Sequence, residues 1–590
     1  MSRQLFLFGF VQVAAFFVLT SFARAEPPLS VTADAAAADG CVSCHRGIED
    51  IIGGDMLEDI EDRAEDYDDP YGCVICHGGN ILGLTPDEAH RGAPAELTEQ
   101  GGPNGFYPDP GALEVAHRSC GQCHDQYAER VRKSAMVTEA GRHRALSQLW
   151  GLPPGEKSIV FGNFAIEDED GAEPVVGTKA YLAYMAALVE KVPNLFVKNL
   201  QPLPDGNYQA LADKLGVASV TNGETSCVNC HLGAEPRERS GEWRGQGCSA
   251  CHVPYSRDGR YEGGDIAIDK QQTGRPRVHR IQSGQSATVT IGDESYSGIP
   301  LETCLSCHER GRRTPGTEVK SGRTSSRRKS PEATAVNADG APDSEYLADV
   351  HHQQESSREN PAGGMLCQDC HTSIDAHGDG NIPTHKLAQV EIECQDCHGL
   401  PTVLPWDLPL GTGEEYGRRL QREPRGIAEE LPRFMRKGFV HEPEDGYLLT
   451  ARGNPYGNVV RRGKQVILHS ATGREYEVPV LKLISDAGTH KSRAAKRHMG
   501  GFAVHTRAME CYGCHANFVP VCDAGTPRTR SHLRWGKARP SRNVEGRQGP
   551  VLRPCPDVRS KRGVNSLVTV QPHSAARKPR VCEECHEGIY

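Results

Sequence analysis

The chain has 590 residues, a formal net charge of −10, only 37% hydrophobic and 6% aromatic residues, and a mean hydropathy of −0.53. A chain so polar cannot fill ordinary side-chain cores at this length, and beyond its first residues it has no apolar stretch long enough to span a bilayer. Its 22 cysteines, 64 glycines and 39 prolines predict loops and short helices organised by something other than apolar side chains.

In chain order, residues 1–25 read as a Sec-type signal peptide, with Arg3, an apolar run from Leu5 to Phe22, and a small-residue cleavage site at Ala23-Arg24-Ala25. A membrane anchor is the alternative, disfavoured by Gln12 within a run of marginal spanning length. The expectation is export to the periplasm or beyond, with no membrane span after cleavage. Residues 26–150 form an N-terminal region with an acidic stretch between Asp39 and Asp69. Residues 151–226 read as a helical segment. Helix-forming composition and apolar spacing predict helices over 128–141 and 178–192. A central region spans 227–398, with a hairpin predicted at 286–298 and a flexible loop near 312–342. Residues 399–510 predict a helix over 414–438, broken near Pro424, and a hairpin over 463–483. The C-terminal region is 511–590.

Ten Cys-x-x-Cys-His pentads use 20 of the 22 cysteines and carry the chemistry. Three lie in the first region: Cys41, Cys44, His45; Cys73, Cys76, His77; Cys120, Cys123, His124. Five lie in the central region: Cys227, Cys230, His231; Cys248, Cys251, His252; Cys304, Cys307, His308; Cys367, Cys370, His371; Cys394, Cys397, His398. Two lie near the end: Cys511, Cys514, His515; Cys582, Cys585, His586. This is the attachment pattern of c-type haem, in which two thiolates form thioethers with the vinyl groups and the adjacent histidine becomes an axial ligand. Disulfides and four-cysteine zinc sites are the competing readings. Neither explains a histidine after the second cysteine every time, and zinc pairs do not sit at gaps running from 21 to 117 residues. The expected cofactor is therefore heme c, ten copies, whose apolar bodies substitute for side-chain core. Haem propionates also supply internal anions for the 14 Lys and Arg between Val521 and Arg580, so nucleic-acid binding is not expected.

Of 25 histidines, 15 lie outside the pentads, enough to supply a second axial ligand to every iron. The candidates by position are His117, His279, His351, His352, His377, His385, His505 and His573, with His143 added. His441, His469 and His532 read as structural. Met136 is an alternative ligand, weighed against a place in an apolar core.

The segments CVICHGGNILGLTPDEAHRG (73–92), RKSAMVTEAG (132–141), CQDCHTSIDAHGDGN (367–381), IECQDCHGLP (392–401) and ECYGCHANFVPVC (510–522) resemble the large multihaem c-type cytochromes of metal- and sulfur-respiring bacteria. That superfamily includes octahaem tetrathionate reductase and hydroxylamine oxidoreductase. The resemblance implies a mainly α fold with much irregular loop and small β-hairpins, built round packed haems, and it makes His90 a distal ligand. Relatives often carry another motif after a segment like FVPVC. Its absence here leaves Cys522 and Cys555 over, as a disulfide or as buried thiols.

The first expectation is an electron carrier in anaerobic or extracellular respiration, with redox partner proteins (other cytochromes or a quinol-linked donor). The second is an oxidoreductase acting on a small inorganic nitrogen or sulfur compound at one open haem. No Cys-x-x-Cys-Lys motif marks such a site, and no catalytic residue is assigned. The third is a self-assembling filament or conduit subunit.

Overall fold

The computed structural model describes residues 31–141, 424–435 and 441–491 and most of 161–202, 242–308 and 364–411, with a few isolated positions between and beyond. The expected signal peptide at 1–25 and the loop near 312–342 lie outside the described residues. No helix among those described is long and apolar enough to cross a membrane.

Helices are short and carry their own stop signals. The Asp55–Ala64 helix buries Ile60 and Ala64 and turns its acidic residues outward. Ile60 packs with Val74, Ile75 and Leu97, which seats the helix on the Cys73–His77 turn. Gly72 makes that approach possible, because its φ is +71° and a Cβ there would lie 2.3 Å from Ile60. The helix predicted over 128–141 is two pieces, Tyr127–Lys133 and Ala135–Thr138. Ser134 between them is extended, at ψ 162°, and the Ala135 N–H donates to Gln389 Oε1 at 2.8 Å instead of continuing the helical ladder. Tertiary packing thus overrides local propensity. Lys179–Lys191 is helical as predicted. Its stripe of Tyr181, Tyr184, Met185 and Leu188 is buried against Leu195, Phe196, Ile374 and Ala388.

Among the described residues, strands fall into four sheets. Strands β1 (Phe161–Gly162), β2 (Ile166–Glu167) and β4 (Asn199–Pro202) form one, and β3 (Phe196–Val197) pairs with β7 (Ile382–Pro383). Strands β5 (Thr288–Ile291) and β6 (Glu294–Ser297) are the hairpin predicted at 286–298. The hairpin predicted at 463–483 is also present, as β11 (Gln465–His469) and β12 (Glu475–Val478), with Val466 opposite Val478 and His469 opposite Glu475. It is the edge of a five-stranded antiparallel sheet that also contains β8 (Ile427–Ala428), β9 (Gly446–Leu449) and β10 (Pro455–Arg462).

The helix predicted over 414–438 is corrected within its described part: Ile427–Ala428 is strand β8, and Arg433–Met435 is a single 3₁₀ turn. Pro424, Gly426 at φ +64° and Pro432 punctuate the segment, and the Arg425 N–H is taken by Leu408 O at 2.6 Å.

The sheet is apolar on both faces. One carries Leu448, Tyr456, Val459, Val466 and Val478, packed with Met365 and Trp406, and the other carries Tyr447, Val460 and Ile467. Leu448→Ala is expected to cost about 2–5 kcal/mol in denaturant unfolding with an unchanged slope, because the side chain is only 1% exposed and leaves a cavity.

Long-range hydrogen bonds tie the sequence regions together. Arg130 donates through Nε and Nη2 to Gly378 O at 2.9 and 2.8 Å, and the Tyr261 hydroxyl donates to Glu49 Oε2 at 2.8 Å. The N-terminal and central regions therefore interleave.

Candidate metal centres: paired histidines

Each motif that is fully described folds as one helical turn. The motif histidine N–H donates to the first cysteine's carbonyl at 3.1 Å for His45, and at 2.9 Å for His124, His252 and His371. Cys73–His77 and Cys394–His398 are single short α-helices, and Leu301–His308 carries its motif at the C-terminal end. Such a turn presents both sulfurs and the imidazole on one side.

The rings are then oriented through Nδ1. His77, His252 and His398 direct Nδ1 to the carbonyls of Tyr107, Gln282 and Pro479, at 2.7, 2.8 and 2.9 Å. A carbonyl only accepts, so Nδ1 carries the proton and Nε2 carries the lone pair. His279 and His377 are set the same way, by Glu49 O at 3.0 Å and Ser373 O at 2.9 Å. His45 and His371 instead face carboxylates, Asp265 Oδ2 at 2.6 Å and Asp375 Oδ2 at 3.0 Å. Fixing Nδ1 is how proteins aim Nε2 at a metal.

These residues keep part of their surface open, yet surrounding protein desolvates them, lowering His77 and His398 to about 4, His377 to about 3, and His252 in the same direction. These four imidazoles are neutral at physiological pH. The hydrogen bond that His45 donates to the Asp265 carboxylate raises its pKa.

Among the described residues, four motif histidines are seen to face a histidine from outside the motifs. Ring centroids are 6.0 Å apart for His45 with His90, 6.0 Å for His77 with His279, 6.2 Å for His252 with His377, and 6.2 Å for His351 with His398. A metal–imidazole bond is about 2.0–2.1 Å, so two bonds end to end, with the reach from each nitrogen to its own ring centre, add to about 6 Å. The interplanar angles run from 14° to 48°. His441 and His469 behave differently: their centroids are 3.9 Å apart at 10°, a direct stack that suits the structural role expected of both. Among the described residues no three His, Cys, Asp or Glu side chains converge on one ion site.

No family model, no curated protein and no solved structure matches this chain. The functional reading therefore rests on the residues themselves.

Of the other expected ligands, His117 is exposed, with no motif ring opposite it among the described residues. His143 is fully buried. Met136 packs against Leu113, Val131, Val137, Leu232 and Ala250, as a core methionine does. His352, His385, His505, His573, the motifs at Cys227 and Cys582, and the leftover Cys522 and Cys555 lie outside the described residues. Sequence reasoning missed three groups. Asp375, four residues after His371 in the sequence, was within reach of a helical reading. Asp265 stands 220 residues from His45 and gives no local signal. Glu49 pins His279: its carboxylate accepts from Tyr261 Oη, the Gly264 N–H and the His279 N–H.

Motifs also meet one another. The Cys41 thiol contacts Cys73, and Cys120 contacts Cys248. Cys76 lies near Cys120 and Cys123, and Cys251 near Cys304. Gln122 Nε2 donates to Ile75 O at 2.7 Å and bolts the second motif to the third.

Proposed function

We propose that the chain is an exported multihaem c-type cytochrome that carries electrons between redox partners. The observation that supports this best is the set of four histidine pairs at 6.0–6.2 Å, each joining a Cys-x-x-Cys-His ring to a ring from elsewhere in the sequence. The cysteine pairs would hold the porphyrin edge, and the paired imidazoles would bind iron from opposite faces. A bound haem supplies one-electron iron chemistry. Two nitrogen ligands leave no open position at such an iron, which favours transfer over catalysis there.

Thiol contacts join the motifs beginning at Cys41 and Cys73 and those at Cys120 and Cys248, and charge interactions relate Cys76 to Cys120 and Cys251 to Cys304, which supports a run of five neighbouring motifs. That run is the path along which electrons would pass. Another cytochrome or a quinol-linked donor, in the periplasm or outside the cell, is the partner class this implies. The surface acids of Asp55–Ala64, next to the Cys73 motif, would steer a basic partner toward one end.

The test is to produce the chain with haem-attachment machinery, digest it and weigh the fragments. All ten pentad peptides are expected to carry a porphyrin adduct. Unmodified cysteines, or disulfides joining Cys41 to Cys73 and Cys120 to Cys248, would reject the reading.

A further inference from the structure

The hydrogen-bond acceptors behind the motif histidines fall into two chemical classes. His77, His252 and His398 donate to neutral peptide carbonyls. His45 and His371 face carboxylates whose side chains are 0% and 1% exposed. Neither carboxylate is free to turn away. The second oxygen of Asp265 accepts the Ala267 N–H at 2.8 Å, and the Asp265 N–H donates to Tyr261 Oη at 3.0 Å. The second oxygen of Asp375 accepts the Glu391 N–H at 2.7 Å.

We propose that Asp265, acting through His45, sets its iron at the low-potential end of the haem series, with the Asp375–His371 pair as the second member. This rests on the haem reading above. A desolvated carboxylate draws the Nδ1 proton toward itself and makes the imidazole a stronger donor through Nε2. It also leaves a full negative charge close behind the ligand, where a carbonyl offers only a dipole. Both effects favour the ferric state, whose extra positive charge is lost on reduction. In that reduction one electron arrives from the partner protein, no bond forms or breaks, and the Nδ1 proton stays in its hydrogen bond. His45 is placed lowest because its contact is the shorter, 2.6 Å against 3.0 Å. Electrons would therefore leave the Cys41 motif readily for its neighbour at Cys73, where the acceptor is the Tyr107 carbonyl.

The test is Asp265→Asn in the full-length, haem-loaded chain, titrated at an electrode. Asparagine keeps the shape and an acceptor oxygen and removes the charge. One low-potential component is expected to move positive by at least a tenfold change in its reduction equilibrium, about 59 mV for one electron, while the haem load and low-spin spectrum stay as in the wild type. Asp375→Asn is expected to move a different single component. A fully loaded, low-spin variant with every potential unmoved overturns the proposal, since a purely structural aspartate would give that result. Should neither variant fold, the wild-type titration decides: a series without two components set below the rest overturns it. Missing porphyrin adducts would instead reject the haem reading beneath it.

Discussion

His377→Ala is expected to turn one low-spin haem of the ten into a high-spin haem that binds carbon monoxide. The His377 ring faces His252 at 6.2 Å and 14°, the most parallel of the four pairs. Its Nδ1 is held by Ser373 O at 2.9 Å, within the Ser373–His377 helix, so Nε2 points into the gap. Tyr127 touches the ring edge at 4.9 Å, but its hydroxyl is engaged with Ser373 Oγ and Phe434 O, both at 3.3 Å. Removing the imidazole opens the sixth position to a small ligand. A carbon monoxide difference spectrum with its stoichiometry measures the effect, and the expected increment is one site per chain. His469→Ala is the control: that ring stacks on His441 at 3.9 Å and its loss should leave the haem spectrum unchanged. A His377→Ala spectrum identical to the wild type would remove the pairing rule on which the carrier reading stands.

Arg425→Met is expected to cost about 3–5 kcal/mol of stability, the usual effect of stripping one partner from a buried ion pair. The Arg425 guanidinium binds Asp396, with side-chain exposures of 1% and 0%. Asp396 also accepts from Tyr456 Oη at 2.9 Å and from the Glu393 N–H at 2.8 Å, so these bonds remain while the compensating charge is lost. The aspartate lies inside the Cys394–His398 turn, and the damage should reach the His351–His398 pair as a perturbed spectrum at one haem. Thermal unfolding of the variant measures the loss. Replacing Asp396 with leucine in the same background should recover most of it, because the uncompensated charge is then gone. An unchanged melting temperature for Arg425→Met would mean that solvent reaches the pair.

What the sequence made legible was local. The pentads dictated one-turn helices with the imidazole beside two sulfurs, and Tyr181, Tyr184, Met185 and Leu188 announced a helix face. Arg425 shows where such reading stops. Its neighbourhood is rich in helix formers, yet an arginine required beneath Asp396, flanked by Pro424 and Gly426, is carried on a strand-leading turn. Strand β10 was missed for another reason: residues on both of its faces are buried, which erases the two-residue alternation that marks a half-exposed strand. The ring partners belong to a third class. Histidine abundance showed that second ligands were available, but which ring meets which is decided by packing between distant segments.

That dependence on distant segments has a consequence for biogenesis. The neighbours of His45 and His77 include Asp265 and His279, residues supplied by a much later stretch of the polypeptide. If the proposed export holds, a nascent chain entering that compartment from its N-terminus would present its first three cysteine turns well before those groups arrive. On the cytochrome reading, haem attachment at these turns would act on an unfinished fold. A fragment ending before residue 242 would lack both groups, so the front of the molecule is not a module that can be cut away and used alone.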